Sequence, residues 1–290
     1  MERRQIGTVK ELFRYPVKSM LGERLERIEV GERGVIGDRA WALRESANGR
    51  VVSAKKFARM LELRATYESP PRADEPDDQS APIKIQLPDG RSLHAADADA
   101  AAMLSAVIGR EVVIERAQPS QYTRAGIDPG TIFGDVPIES VMPQLTGATM
   151  PDTFALLNGT FFDSATMHVL ATGTLAHMRS LVGEGAQIDP RRFRPNIVVD
   201  TSATANGFVE DEWLGQTLEV GDGANGDTVK IVAMKPALRC VMTTHRQEDL
   251  GRDLRIIRAA AQFHQATVGV FASVGATGTV RVGAPVFLAA

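Results

Sequence analysis

A single cysteine, Cys240, stands among 290 residues, and that scarcity removes several kinds of chemistry at once. The chain can close no disulfide within itself, and iron–sulfur clusters or structural zinc sites built from several thiolates are excluded. Any redox centre has to come from a cofactor or a partner. Long apolar runs are also missing: no stretch approaches 18 uninterrupted apolar residues, and the opening MERRQIGTVKELFRYPVKS has charges and alternation but no apolar signal core. Charge of one sign is lacking too. A net charge of -3 and a pI near 6.0 provide no global basic field for nucleic acid or an anionic membrane. A soluble, cytoplasmic protein that handles small molecules is the expectation, with no nucleic-acid or membrane partner. At this length it is one large domain or two closely packed ones.

What is present is mostly strand periodicity. IGTVKELFRYPV and RLERIEV alternate apolar and charged residues, and RAWALRE followed by ANGRVVSA reads as a hairpin turning at Asn48 and Gly49. IKIQL and RSLHA flank a Pro-Asp-Gly turn, and a helix is expected from an Asp97 or Asp99 cap to a stop at Gly109. Residues 69–82, with four prolines and almost nothing apolar, read as a mobile surface loop. After about Pro119 the pattern returns to strands: NIVVD, QTLEVG, TVKIVAMK, VGVFASV and TVRVGAPVFL. Three helical pieces interrupt them. One runs from a Thr172 cap to Gly183 with Leu175, Met178 and Val182 on its apolar face. One is a single turn over DPRRFRP, and one starts at Asp253 and buries Leu254, Ile257 and Ala261. The expected class is mainly β (α+β) and barrel-like, with a few peripheral helices, divided at 1–118 and 119–290.

Several familiar motifs fail. GDGANGD (221–227) lacks the glutamate that closes a calcium loop and reads as a hairpin turn. The five histidines are scattered, without HExxH, and no GxGxxG, GxxxxGK[ST] or GxSxG stretch is present. What remains are polar clusters at strand ends. YPVKS presents Lys18 and Ser19 directly after a proline, and GVIGDRAW adds Arg39. A guanidinium fork, an ammonium and a hydroxyl together suit a phosphate. Residues 1–60 carry fourteen Lys and Arg against eight Asp and Glu, a local excess of six positive charges in an acidic chain. The plainer alternative is a solvated strand face.

Taken in order, YPVKSM, GVIGDRAW, FRPNIVVD, EDEW and RCVMTT resemble the MOSC family, named for the molybdenum cofactor sulfurase C-terminal domain, preceded by its N-terminal β-barrel partner. The likeness runs from about residue 6 to residue 288. It implies a β-barrel MOSC domain packed on an N-terminal β-barrel domain, and it relates the chain to amidoxime-reducing molybdenum proteins. By resemblance, Cys240 is the thiolate that coordinates molybdenum and the catalytic centre. Lys18, Ser19, Arg39, Arg194 and Asn196 fall on cofactor-binding positions, as do Thr172 and Thr174 in a hydroxyl-rich turn. Glu210, Asp211 and Trp213 look like a supporting corner. A soft thiolate suits a transition metal, and the basic clusters suit a pterin phosphate. Arg239 is not credited with activating Cys240, because neighbours in an extended strand point to opposite faces.

The implied activity is reduction of N-hydroxylated or related small molecules at the molybdenum cofactor (Mo-molybdopterin). The electrons would come from a separate flavoprotein, cytochrome or ferredoxin. Met20 stands where many relatives have cysteine, and the segment after Cys240 differs in length and charge, so substrate identity is not carried over. Two other readings stay open at this point. Cys240 could carry a persulfide or attack a substrate, as in sulfur transfer, or it could be a buried, inert residue of a binding module.

Overall fold

A computed structural model describes residues 3–72, 81–117, 160–201, 207–221 and 228–289, with the short segments Arg124–Gly126 and Thr153–Ala155 and the single residues Phe133 and Gly223. Most of the proline-rich stretch 69–82 and of GDGANGD lies outside the described residues.

The first half contributes β1 (Arg3–Arg14), β2 (Glu23–Leu25), β3 (Arg27–Gly31), β4 (Gly34–Val35), β5 (Trp41–Glu45), β6 (Arg64–Tyr67), β7 (Ile83–Gln86), β8 (Ser92–His94), α1 (Ala100–Ile108) and β9 (Val112–Arg116). β10 (Arg124–Gly126) and β11 (Thr153–Ala155) pair with each other. The second half contributes β12 (Met167–Ala171), α2 (Thr172–Val182), β13 (Ile197–Asp200), β14 (Thr217–Val220), β15 (Val229–Leu238), α3 (Arg255–His264), β16 (Thr267–Ala276), β17 (Gly278–Arg281) and β18 (Pro285–Ala289).

Seven strands close a barrel in the order β13-β12-β16-β15-β14-β18-β1, because β1 pairs back onto β13 with Thr8 opposite Asp200 and Leu12 opposite Ile197. All pairs are antiparallel except β12 and β13, which run parallel because α2 crosses between them. The barrel interior is filled by apolar residues such as Leu12, Val169, Ile197, Leu218, Ile231 and Val270. β12 and β13 are buried on both faces, since α2 and α3 cover their outer side with Leu175, Met178 and Ile256 against Leu170 and Val198. That explains why NIVVD is a continuous rather than an alternating apolar run. A separate core surrounds α1, with Leu43, Leu61, Leu63, Ile83, Ile85 and Leu104.

The molecule is mainly β, a closed seven-stranded barrel packed on a smaller β unit with three α-helices among the described residues. The division at residue 118 is one of chain order. In space β1 is a barrel strand, and β17 pairs with β3.

Local expectations fare unevenly. β7 and β8 form the expected hairpin, with Gly90 left-handed at φ 87°, and α1 ends at Gly109, φ 75°. The turn at 48–49 forms, but its second limb makes only the bridge Arg44–Val51. β5 takes β9 as partner instead, with Arg44 paired to Glu115. The cap of α2 is Ala171, not Thr172, whose hydroxyl is drawn to Asp200 at 3.0 Å. On α3 the buried face is Ile256, Ile257, Ala259 and Ala260. The Asp253 carboxylate accepts from the Arg255 N–H, leaving Leu254 ahead of the first turn and Ala261 half-buried.

Candidate functional site

β1 ends at Arg14, and Pro16, having no N–H to donate, begins a turn that carries Lys18 and Ser19. The Lys18 N–H donates to Trp41 O at 2.8 Å, pinning that turn to the start of β5. Ser19 lies in the left-handed region at φ 66°. Arg39 does so at 47°, its N–H donating to Tyr15 O at 2.7 Å, and Arg194 at 57°, just past the 3-10 turn Pro190–Arg192. Six non-glycine residues among those described have positive φ, and these three line one cavity. Such conformations cost roughly 1–3 kcal/mol each and persist where surrounding structure imposes them. Their concentration marks this place for function.

The cavity is about 140 Å³ and lies where the N-terminal unit meets the barrel. Cys240, partly exposed, stands just past the end of β15. Six cations line the cavity, Lys18, Arg39, Lys55, Arg192, Arg194 and Arg239, against one acid, Asp163. Arg192 spends its guanidinium on backbone carbonyls: Gln187 at 2.8 Å, Thr243 at 3.3 Å, His245 at 3.1 Å and Gly251 at 2.6 Å. It therefore clasps the loop that follows Cys240. Arg39 donates to Asp38 and to Arg194 O at 3.1 Å, and its guanidinium lies 4.5 Å from the centre of the Tyr15 ring. Arg194 donates through Nη1 to Met20 O and stacks on Tyr15 at 4.1 Å, but its Nη2 is buried with no partner.

Burial lowers the Lys18 ammonium, which Asp163 counteracts by pairing with it; Lys18 also donates to Phe161 O at 2.7 Å. Lys55 is raised by Asp163, 3.1 Å away, and also feels Cys240. Burial would raise Asp163, yet the Lys18 and Lys55 ammonium groups hold it well below the carboxylate range. Arg194 is pushed down to about 10 by burial and by Arg39 beside it. Arg239 is also brought down to about 10 by burial, with Cys240 opposing the shift. His168 is driven well below its ordinary value by burial and then by Arg239, so it is a neutral imidazole, and its Nδ1 has no partner. A Cβ at Gly269 would stand 2.4 Å from His168 Nε2, so only glycine leaves that ring its place. The cavity thus combines a partly exposed thiol, an unbalanced positive wall and a buried donor with nothing to bind. An anionic ligand that brings a soft centre to Cys240 fits that donor set.

Residues 157–287 match the model of the MOSC domain, and residues 6–110 match that of the MOSC N-terminal beta barrel domain. The chain belongs to the MOSC family. Two relatives are each named mitochondrial amidoxime reducing component 2. The Rattus norvegicus protein is 24% identical over 309 residues and the Bos taurus protein 27% over 306, each alignment covering 98% of this chain and 83% of the relative. The solved structure of the YUAD protein from Bacillus subtilis is similar at TM-score 0.48 and 8% identity, over 99% of this chain and 97% of that one.

Of the residues expected at the MOSC site, Lys18, Ser19, Arg39, Arg194 and Cys240 meet at the cavity. Thr172, Thr174 and Asn196 do not line it. Thr172 donates to Asp200 and accepts from the Thr201 N–H at 3.0 Å. Thr174 donates to Glu210, and Asn196 is fully buried in a network behind the wall. Glu210, pushed up to about 7 by burial, also accepts from the Ala171 N–H at 2.5 Å and so ties down the first turn of α2. Trp213 packs in the barrel core, and Asp211 pairs with His264 at 2.8 Å.

Sequence reasoning missed Lys55, Asp163, His168 and Arg192, because no local pattern distinguishes them; they meet only through the fold. Arg239 was set aside as an activator of Cys240 by strand alternation. β15 ends at Leu238, so both residues line the cavity, but the Arg239 guanidinium donates to Ala237 O and Phe193 O, each at 2.8 Å.

Proposed function

We propose that this MOSC protein binds the molybdenum cofactor and works as an oxidoreductase that reduces N-hydroxylated or related N-oxygenated small molecules, with Cys240 as the protein ligand to molybdenum. The observation that carries the reading is the joint placement of Cys240 and an unpaired Arg194 nitrogen in one cation-rich cavity. No group of three His, Cys, Asp or Glu among the described residues could hold a bare metal ion. On this reading the metal therefore arrives at Cys240 with other ligands of its own, as it does in a metal-bearing pterin. When bound, that group supplies two-electron redox chemistry at a metal able to take up oxygen. Lys18, Ser19, Arg39 and Arg194 would hold its phosphate and pterin. Lys55 and Asp163, whose side chains are partly exposed, line the cavity together with buried, neutral His168, and a small substrate would approach beside them. Electrons would come from a separate flavoprotein, cytochrome or ferredoxin. The names of the two mammalian relatives, both amidoxime reducing components, support the substrate class.

One observation favours a second reading. Cys240 is partly exposed and shares its cavity with the cationic side chains of Lys55 and Arg239, an environment that also suits a persulfide carrier or a thiolate nucleophile. Molybdenum and released pterin per chain, measured in wild type and Cys240→Ser from a host shown to make the cofactor, separate the two. Near-stoichiometric metal in wild type and at least a tenfold loss in the variant is the expected result. Absence of metal from both, with an alkylatable thiol in wild type and a positive loading control, would transfer the assignment to sulfur or thiol chemistry.

A further inference from the structure

Asn196 was expected to touch the cofactor, yet its polar groups are all engaged within the protein. Its Oδ1 accepts from the His168 N–H at 3.1 Å, and its Nδ2 donates to Asp38 Oδ2 at 2.7 Å and to Phe13 O at 3.4 Å. Its own N–H donates to His168 O at 2.8 Å, and its carbonyl accepts from the Phe13 N–H at 2.9 Å. The residue is wholly buried. What it holds is informative. The Asp38 side chain has no exposure. Its Oδ1 accepts from the Tyr15 N–H at 2.6 Å, and its Oδ2 receives both Asn196 and the Arg39 guanidinium. Two donors from barrel segments thus fix this carboxylate, and the carboxylate fixes Arg39, whose backbone is already held left-handed.

We infer that Asn196 is a positioning residue: acting through Asp38, it aims the Arg39 guanidinium into the cavity, and it makes no contact with the bound anion. The inference rests on the reading of the cavity as an anion and cofactor site. Its physical basis is that an arginine side chain carries about 2 kcal/mol of rotamer entropy. Orienting it before the ligand arrives raises affinity by removing part of that cost from the binding step. A buried acceptor held by two neutral donors keeps its lone pairs directed, and loss of one donor frees the carboxylate to turn.

The test uses cofactor-free full-length protein and two readouts. The first is the order of the Arg39 Nε–H signal by nitrogen-15 relaxation, with no ligand present, in wild type and Asn196→Ala, using a non-perturbing assignment variant. The second is a double-mutant cycle for inorganic pyrophosphate binding by calorimetry, in wild type, Asn196→Ala, Arg39→Ala and the double variant. Melting temperatures of all four control for loss of fold, and Asn196→Ser, which retains a small donor, replaces Asn196→Ala if the latter is unfolded. The expected result is loss of Arg39 order in the Asn196 variant. Pyrophosphate affinity should fall about fivefold to tenfold in the Asn196 variant of otherwise wild-type protein and be unchanged by that substitution in the Arg39→Ala background. An Arg39 signal that stays ordered overturns the inference whether or not pyrophosphate binds, as do additive losses in the cycle. Failure of the cofactor reading registers separately, as absence of metal in the loading experiment.

Discussion

At the first turn of α2, each side-chain oxygen of a buried polar cluster has a partner within the protein: Thr172 has Asp200 and the Thr201 N–H, Thr174 has Glu210 and the Val209 N–H, and Glu210 has Ala171 and Thr174. At the Cys240 cavity the same accounting leaves Arg194 Nη2 and His168 Nδ1 without partners, six cations against one acid, and three strained residues. Both clusters are buried and polar, and both were candidates from hydroxyl or basic residues in the sequence. Burial and polarity therefore do not identify a site. Unpartnered buried atoms alone do not either, since Trp41 Nε1 and His245 Nε2 also lack partners and neither lines the cavity. The Cys240 cavity stands apart because such atoms coincide there with excess positive charge and strained backbone, a combination that is costly unless something arrives to complete it.

If that contrast is sound, the two clusters should break differently. The largest effect is expected at the satisfied one: Glu210→Ala leaves the Ala171 N–H without its acceptor and the Thr174 hydroxyl with only Gly207 O at 3.3 Å, and should cost about 3 kcal/mol or more of unfolding free energy. Chemical denaturation measures this, and the molybdenum content of the protein that remains folded should not change. A milder substitution sharpens the contrast through pH. Burial raises the folded pKa of Glu210 above its ordinary 4.5 to about 7. The stability this group contributes is therefore complete below about pH 4.5 and is lost as pH rises through about 7. Stability profiles of Glu210→Gln should be flatter than wild type across that window; parallel profiles would mean the carboxyl does not titrate there.

The smallest effect belongs to the unsatisfied cluster. Arg194→Lys retains a charge but loses the fork and its unpaired nitrogen. Pyrophosphate affinity of the cofactor-free protein should fall about tenfold, with stability changed by less than about 1 kcal/mol. A large loss of stability with unchanged affinity would make Arg194 a structural arginine and erase the contrast.

The class of fold and the contributing segments were legible because alternation in IKIQL or QTLEV reports a half-buried strand directly. The partner of β5 was not, since RAWALRE can pair with its neighbour after Asn48-Gly49 or with VVIER seventy residues on, and only the packed core selects the second. Five expected site residues do meet, because turn and strand-end positions such as Lys18, Arg39 and Arg194 are held by short-range geometry. Thr172 and Thr174 followed the same logic and went elsewhere: Asp200 and Glu210, distant in sequence, captured their hydroxyls.

By itself the amino-acid sequence determined that one thiol exists, that strands predominate, and that positive charge gathers in the first sixty residues, since composition and periodicity are local properties. Tertiary structure alone decided that β1 would close the barrel of the second half, that Lys55, Asp163 and Arg239 would meet at Cys240, and that Arg194 would keep one donor free. Those outcomes depend on which distant groups come within hydrogen-bonding reach when the chain packs, and no local pattern carries that information.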